Sequence, residues 1–99
     1  MTTIINFLKR HEGYRVKPYR CTAGKLTWGY GRNLEDNPLS QEEVIYLLNN
    51  DIEAAAENCL KNDITDSLYW CRQIFDQFDH FSVNRQIALC SVMFNLGGS

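Results

Sequence analysis

The sequence predicts an α+β fold, and three observations carry that prediction. Ser40-Gln41-Glu42-Glu43 opens a run of apolar residues at three- and four-residue intervals, a stretch rich in aromatic and β-branched residues is split by Ala23-Gly24, and a second apolar-periodic run lies between Asn84 and Leu96. Helices on either side of a hairpin follow from that order.

The first element is a short helix. Thr3-Ile4-Ile5-Asn6-Phe7-Leu8 places apolar residues at 4, 5, 7 and 8, and Gly13 stops it, which leaves Glu12 at the helix C-terminus. Tyr14 to Asn33 then reads as a hairpin or small sheet. With a turn over Ala23 to Lys25, Cys21 is predicted to lie directly opposite Thr27. Strand parity puts Thr27, Gly29 and Gly31 on one face and Trp28 and Tyr30 on the other. The two glycines leave that face open to a ligand or to another backbone.

Ser40 and Glu43 form a capping-box pattern, so a long helix is predicted from Ser40 to Leu60, with Val44, Leu47, Leu48, Ile52, Ala55, Ala56 and Cys59 along its apolar stripe. Asn62-Asp63 reads as its end. Asp66 to Phe75 reads as a short helix, and Asp76 to Ser82 as a connection. In the helix Asn84 to Leu96, Ile87, Ala88, Leu89, Cys90, Val92, Met93, Phe94 and Leu96 wrap nearly the whole circumference, as in a helix buried on all sides.

Three residues later the sequence stops, at Gly97-Gly98-Ser99. The expectation is therefore that other chains cover this helix, that the sequence is a truncated form of something longer, or that an apolar patch promotes self-association. The plainer alternative is that the earlier helices suffice to cover it.

Ninety-nine residues allow one domain that buries roughly 60–68% of the surface its unfolded chain exposes. Hydrophobic residues at 44% and charged residues at 22% fit a globular chain, not disorder or coiled coil. The formal net charge of -2 lacks the overall footprint of a nucleic-acid binder. Positive charge does gather in the first third, at Lys9, Arg10, Arg15, Lys17, Arg20, Lys25 and Arg32. That asymmetry suits either an ordinary solvated surface or an anionic polymer such as a cell wall. The N-terminal apolar run is too short for a signal peptide, and no run reaches a membrane span, so synthesis in a cytoplasm is expected.

Cys21, Cys59, Cys71 and Cys90 are widely and irregularly spaced, which argues against a disulfide framework and against a zinc site. No metal or cofactor is implied. The last three of these cysteines fall in apolar-periodic segments, where cysteine behaves as a small hydrophobe. Cys21 differs in having Arg20 and Lys25 nearby.

The candidate site is a carboxyl, a thiol and a hydroxyl: Glu12, Cys21 and Thr27. Glu12 at a helix C-terminus is favoured in its protonated form by the negative end of the helix dipole, whereas Arg15 would oppose this, and pairing with a surface arginine is the structural alternative. Arg20 or Lys25 would lower the Cys21 pKa and favour a thiolate; otherwise Cys21 holds a water beside Thr27 or is a buried structural thiol. Thr27 either handles water or simply packs in a strand.

At these residues the sequence resembles the phage lysozyme family, the muramidases of glycoside hydrolase family 24. That family's signature is a Glu, eight residues, an Asp or Cys, five residues and a Thr, which Glu12, Cys21 and Thr27 satisfy. Glu12-Gly13, Tyr19, Thr27-x-Gly29-x-Gly31 and Phe94-Asn95-x-Gly97 resemble further family positions. The resemblance implies a lysozyme-like fold with a small β-hairpin lobe, a long connector helix and a partial helical lobe: residues 14–60 as small lobe and connector, 1–13 and 61–99 as helical lobe.

The resemblance further implies hydrolysis of the β-1,4 bond between N-acetylmuramic acid and N-acetylglucosamine in peptidoglycan, during host lysis. Glu12 would be the general acid, Cys21 would assist water or act as nucleophile, and Thr27 would orient the water. Asn33 and Phe94 resemble positions near the glycan cleft. The implied partners are peptidoglycan strands reached after release from the host cytoplasm. Arg32 stands where many members have His, a change expected to alter the charge around Glu12. Family members also continue for several helices that wrap the Asn84 to Leu96 helix. The alternative function is an inactive remnant that binds glycan or a partner protein.

Overall fold

The computed structural model describes residues 2–96, so Gly97 of the Phe94-Asn95-x-Gly97 pattern and the Gly97-Gly98-Ser99 ending lie outside the described residues. Helix α1 (Thr2–Glu12) drives Ile4, Ile5 and Leu8 into the core. It ends where predicted. Gly13 adopts φ +71 and its N–H donates to the Lys9 carbonyl at 3.0 Å, a left-handed terminus that glycine accepts without steric penalty.

Strands β1 (Arg15–Arg20), β2 (Leu26–Gly29) and β3 (Arg32–Asn33) form an antiparallel sheet in that order. Trp28 and Tyr30, expected on one face, are both buried in the core, and the Trp28 indole N–H donates to the Val16 carbonyl at 2.9 Å.

The register departs from prediction. Thr27 pairs with Tyr19 and Leu26 with Arg20, while the Cys21 N–H donates to the Lys25 carbonyl, so the turn is Thr22 to Gly24. Cys21 is thus offset by two residues from the position opposite Thr27. A two-residue slip preserves facing, because side chains alternate with a period of two. Of the expected shared face of Thr27, Gly29 and Gly31, Gly29 departs, while Thr27 and Gly31 both border the space beside Glu12. Positive φ at Gly29 and Gly31 breaks the alternation, and a Cβ on Gly29 would sit 3.1 Å from Ala56 Cβ, on the helical side.

Helix α2 (Gln41–Asn49) begins with the predicted capping box: the Glu43 N–H donates to Ser40 Oγ at 3.1 Å and the Ser40 N–H donates to Glu43 Oε1 at 2.9 Å. It does not continue to Leu60. Asn50 is extended, and the Asp51 carboxylate accepts from the Ala54 N–H at 2.8 Å, starting α3 (Ile52–Ile74). The long helix is therefore α3. It runs straight through Asn62-Asp63, the expected break, and absorbs the short helix expected at 66 to 75.

Ala55, Ala56, Cys59, Leu60, Ile64, Leu68 and Cys71 form the core face of α3. After a 3-10 turn at Phe78–His80, helix α4 (Val83–Leu96) packs on α3 and α1. Contrary to the all-round burial predicted, only Cys90 and Phe94 of α4 are fully buried, while Val83, Val92 and Leu96 are exposed. Its outer apolar side has no cover among the described residues. No helix among them is long and apolar enough to cross a membrane.

Candidate active site

Glu12, Cys21 and Thr27 line one cavity of about 490 Å³ between the end of α1, the hairpin turn and the last turn of α4. Tyr19, Gly31, Asn33 and Asn95 line it too. The three candidate residues thus come together from three elements, although the hairpin register differs from the predicted one.

Glu12 is held by the α1 terminus with its side chain 17% exposed. Burial pushes its carboxyl pKa up, and His11, whose Nε2 lies 3.8 Å from Glu12 Oε2, opposes this. The charge acting on Glu12 is that imidazole, and not the expected Arg15. Arg15 instead stacks its guanidinium on the Tyr19 ring, 4.4 Å from the centroid. Gly31 is what gives Glu12 room. Its φ is +78, and a Cβ there would run into the Glu12 carboxylate.

Cys21 is half-buried and its pKa is lowered, but not by the cations flanking it in sequence. Arg20 is bound to Glu35 at 3.0 Å and Lys25 to Asp36 at 3.4 Å. The shift comes from the Lys25 backbone N–H, then from the Thr27 hydroxyl when it is turned toward the sulfur, and from the Ala23 backbone N–H, all of which favour the thiolate. Thr27 is 3% exposed, and its hydroxyl donates to the Lys25 carbonyl at 2.9 Å. A hydroxyl has one hydrogen. In this rotamer Thr27 offers only lone pairs to the cavity, and donation to a Cys21 thiolate requires the hydroxyl to turn.

Asn33 lines the cavity while organising the loop behind it. Its Oδ1 accepts from the backbone N–H groups of Glu35 and Asp36, both at 3.0 Å, and its Nδ2 donates to Asp36 Oδ2 at 3.1 Å. Phe94 is 1% exposed in the core and does not line this cavity. It borders a separate cavity of about 190 Å³ beside Asp63, Ser67 and Trp70. Asn95 and Leu96 present the α4 end to the Glu12 cavity instead.

Arg32 is turned away from Glu12. It is 4% exposed and binds Glu43 through two hydrogen bonds, with Asp63 3.5 Å away. The change in charge expected around Glu12 is therefore neutralised elsewhere in the fold. Sequence reading missed this network altogether, because its three charges lie on β3, α2 and α3. Among the described residues, no cluster of His, Cys, Asp and Glu is arranged to hold a metal ion.

The family model for phage lysozyme matches residues 9–99. An endolysin of Acyrthosiphon pisum secondary endosymbiont phage 1 is 34% identical over 94 residues, which cover 91% of this chain and 54% of the endolysin. The chain thus spans about half the length of that curated relative. The match takes in the end of α1, the hairpin and all the later helices, and so every residue of the cavity: the chain belongs to the phage lysozyme family.

Proposed function

We propose that this chain is a muramidase that hydrolyses the β-1,4 bond between N-acetylmuramic acid and N-acetylglucosamine of peptidoglycan during host lysis. The supporting observation is that Glu12, Cys21 and Thr27, from three different elements, line a single cavity. Its name makes the relative an endolysin, which fits the same role.

In this reading Glu12, whose carboxyl pKa is raised by burial, donates a proton to the leaving glycosidic oxygen. Thr27 accepts a hydrogen from the incoming water, its own hydrogen being engaged by the Lys25 carbonyl. Cys21, as thiolate, either attacks the anomeric carbon or takes the water's second proton. Asn33 contacts glycan at the cavity floor, and Phe94 acts from behind by seating Asn95 and Leu96. The residues from 14 to 60 and the flanking helices work as one unit, synthesised in the host cytoplasm and acting on the wall after release.

The test is clearance of purified cell walls by the wild type against Glu12→Gln. Clearance lost in the variant supports the assignment. Wild-type binding to walls without clearance overturns it, in favour of a glycan-binding module. A Cys21→Ser variant that keeps substantial activity would place Cys21 on water and not on the sugar.

A further inference from the structure

Positive charge is concentrated near the cavity, yet most of it is internally neutralised. Lys9 pairs with Glu57, Arg20 with Glu35, Lys25 with Asp36, and Arg32 with Glu43. Arg15 stands apart. It is exposed, no carboxylate of the described residues pairs with it, and its guanidinium lies 4.4 Å from the centroid of the Tyr19 ring. Tyr19 in turn lines the cavity that holds Glu12 and Cys21.

The sheet register explains how two residues four apart meet. Arg15 is opposite Gly29 and Tyr19 is opposite Thr27, so β1 spends four residue steps where β2 takes two. The extra length bows β1 and brings Arg15 and Tyr19 to neighbouring positions on one face. A stacked guanidinium loses rotamer freedom before any ligand arrives, while its in-plane N–H groups stay free. A planar fork of that kind matches a carboxylate.

We propose that Arg15, held over the ring of the cavity-lining Tyr19, is a binding subsite for a carboxylate carried by the glycan's peptide substituents. This deepens the muramidase reading and rests on it for the identity of the polymer. The subsite selects wall strands with free acidic groups over neutral or amidated ones, through binding and not through bond cleavage.

The experiment is co-sedimentation with purified peptidoglycan stripped of accessory polymers, either native or with its carboxyls converted to amides. Wild type, Arg15→Gln, Arg15→Lys and Lys17→Gln are compared in a Glu12→Gln background, so that the wall stays intact. Arg15→Gln is expected to weaken binding to native wall about two- to fivefold, as is typical of an exposed charge pair. Amidation is expected to weaken the parent by the same factor and to leave Arg15→Gln unchanged. Arg15→Lys should retain little of the effect, because a lysine has no planar fork to stack.

Equal losses for Arg15→Gln on both walls would overturn the subsite, as would a Lys17→Gln loss matching that of Arg15→Gln, which would indicate a diffuse positive field. Binding that obeys the expected pattern while the wild type clears no wall would refute the muramidase reading and leave the subsite standing. Unchanged melting temperatures verify that each variant is folded, and absence of binding to any wall would refute both readings.

Discussion

Arg32 grips Glu43 with a two-pronged hydrogen bond, Nη2 to Oε1 at 2.7 Å and Nη1 to Oε2 at 2.9 Å, and neither side chain is more than 5% exposed. Such a pair is not a strong source of net stability, because desolvating both ions offsets most of their attraction. Removing one partner is another matter. Glu43 also accepts from Asn62 at 2.9 Å and completes the α2 capping box, so it joins β3, α2 and α3. Glu43→Ala is expected to destabilise the fold by about 3 kcal/mol, the low end for a broken buried pair, since Asp63 remains beside Arg32. Urea unfolding measures it, and a loss under about 1 kcal/mol would contradict the network's structural weight.

The same network sets a pH dependence with two opposing arms. Burial raises the Asp63 pKa from an ordinary 3.8 to about 6, with Arg32 and the Asn37 amide only partly compensating. Protonation of Asp63 therefore favours the folded state, and that contribution is full below pH 4 and lost as the pH rises through about 6. Glu43 runs the other way. Its pKa is lowered to about 2 by hydrogen bonds from Arg32, Asn62 and the Ser40 N–H, which outweigh its burial. Its contribution is full above pH 4.5 and lost as the pH falls toward 2. Thermal melts should show a stability maximum between about pH 4 and 5, and Asp63→Asn should shrink the arm between pH 4 and 7 to what the raised Glu12 carboxyl contributes, without touching the acid arm.

This network also shows where sequence reading reached its limit. The Ser40 capping box and the Gly13 stop were legible because each is settled within four residues of chain. Asn62-Asp63 looked like a helix end because two polar residues interrupt an apolar pattern. In the fold Asp63 lies inside α3, accepting from Asn37 at 2.9 Å, and Asn62 reaches Glu43, so partners far away in sequence make the helix interior hospitable to both.

Conversely, the apolar spacing across Asn50-Asp51 concealed a real break. Leu48, which extended the stripe, is 79% exposed. Asp51→Ala is expected to cost about 1 kcal/mol by removing the α3 cap. A comparable loss at the solvent-exposed Glu42, altered as a control, would show that the cap is not the cause.

Spacing could suggest that Glu12, Cys21 and Thr27 converge, but not how Glu12 is accommodated. Gly31 does that, with its positive φ and the missing Cβ. Gly31→Ala is expected to displace the Glu12 carboxylate, to destabilise the fold by about 1–3 kcal/mol through left-handed strain and the clash together, and to abolish any wall clearance. Gly24→Ala is the matched control, since its φ is +79 and no atom lies within 4 Å of an added Cβ. It should show the strain without the loss of clearance.

The four thiols differ enough for chemistry to single one out. Cys59, Cys71 and Cys90 are buried and free, and burial pushes Cys59 and Cys90 up to about 12 and Cys71 upward as well. Cys21 is half-buried, lines the cavity and has a lowered pKa. Alkylation requires both access and thiolate, so iodoacetamide should modify the native chain once, at Cys21, and four times in urea. Backbone N–H groups favour the thiolate, and the Thr27 hydroxyl joins them when it turns from the Lys25 carbonyl toward Cys21, so Thr27→Val should slow the Cys21 reaction near neutral pH and shift its rate profile to higher pH. Peptide mass spectrometry locates the adduct. Modification of Cys59 or Cys90 in the folded chain at a similar rate would mean that the core opens readily, and an unshifted Thr27→Val profile would leave the thiolate to the Lys25 and Ala23 N–H groups alone.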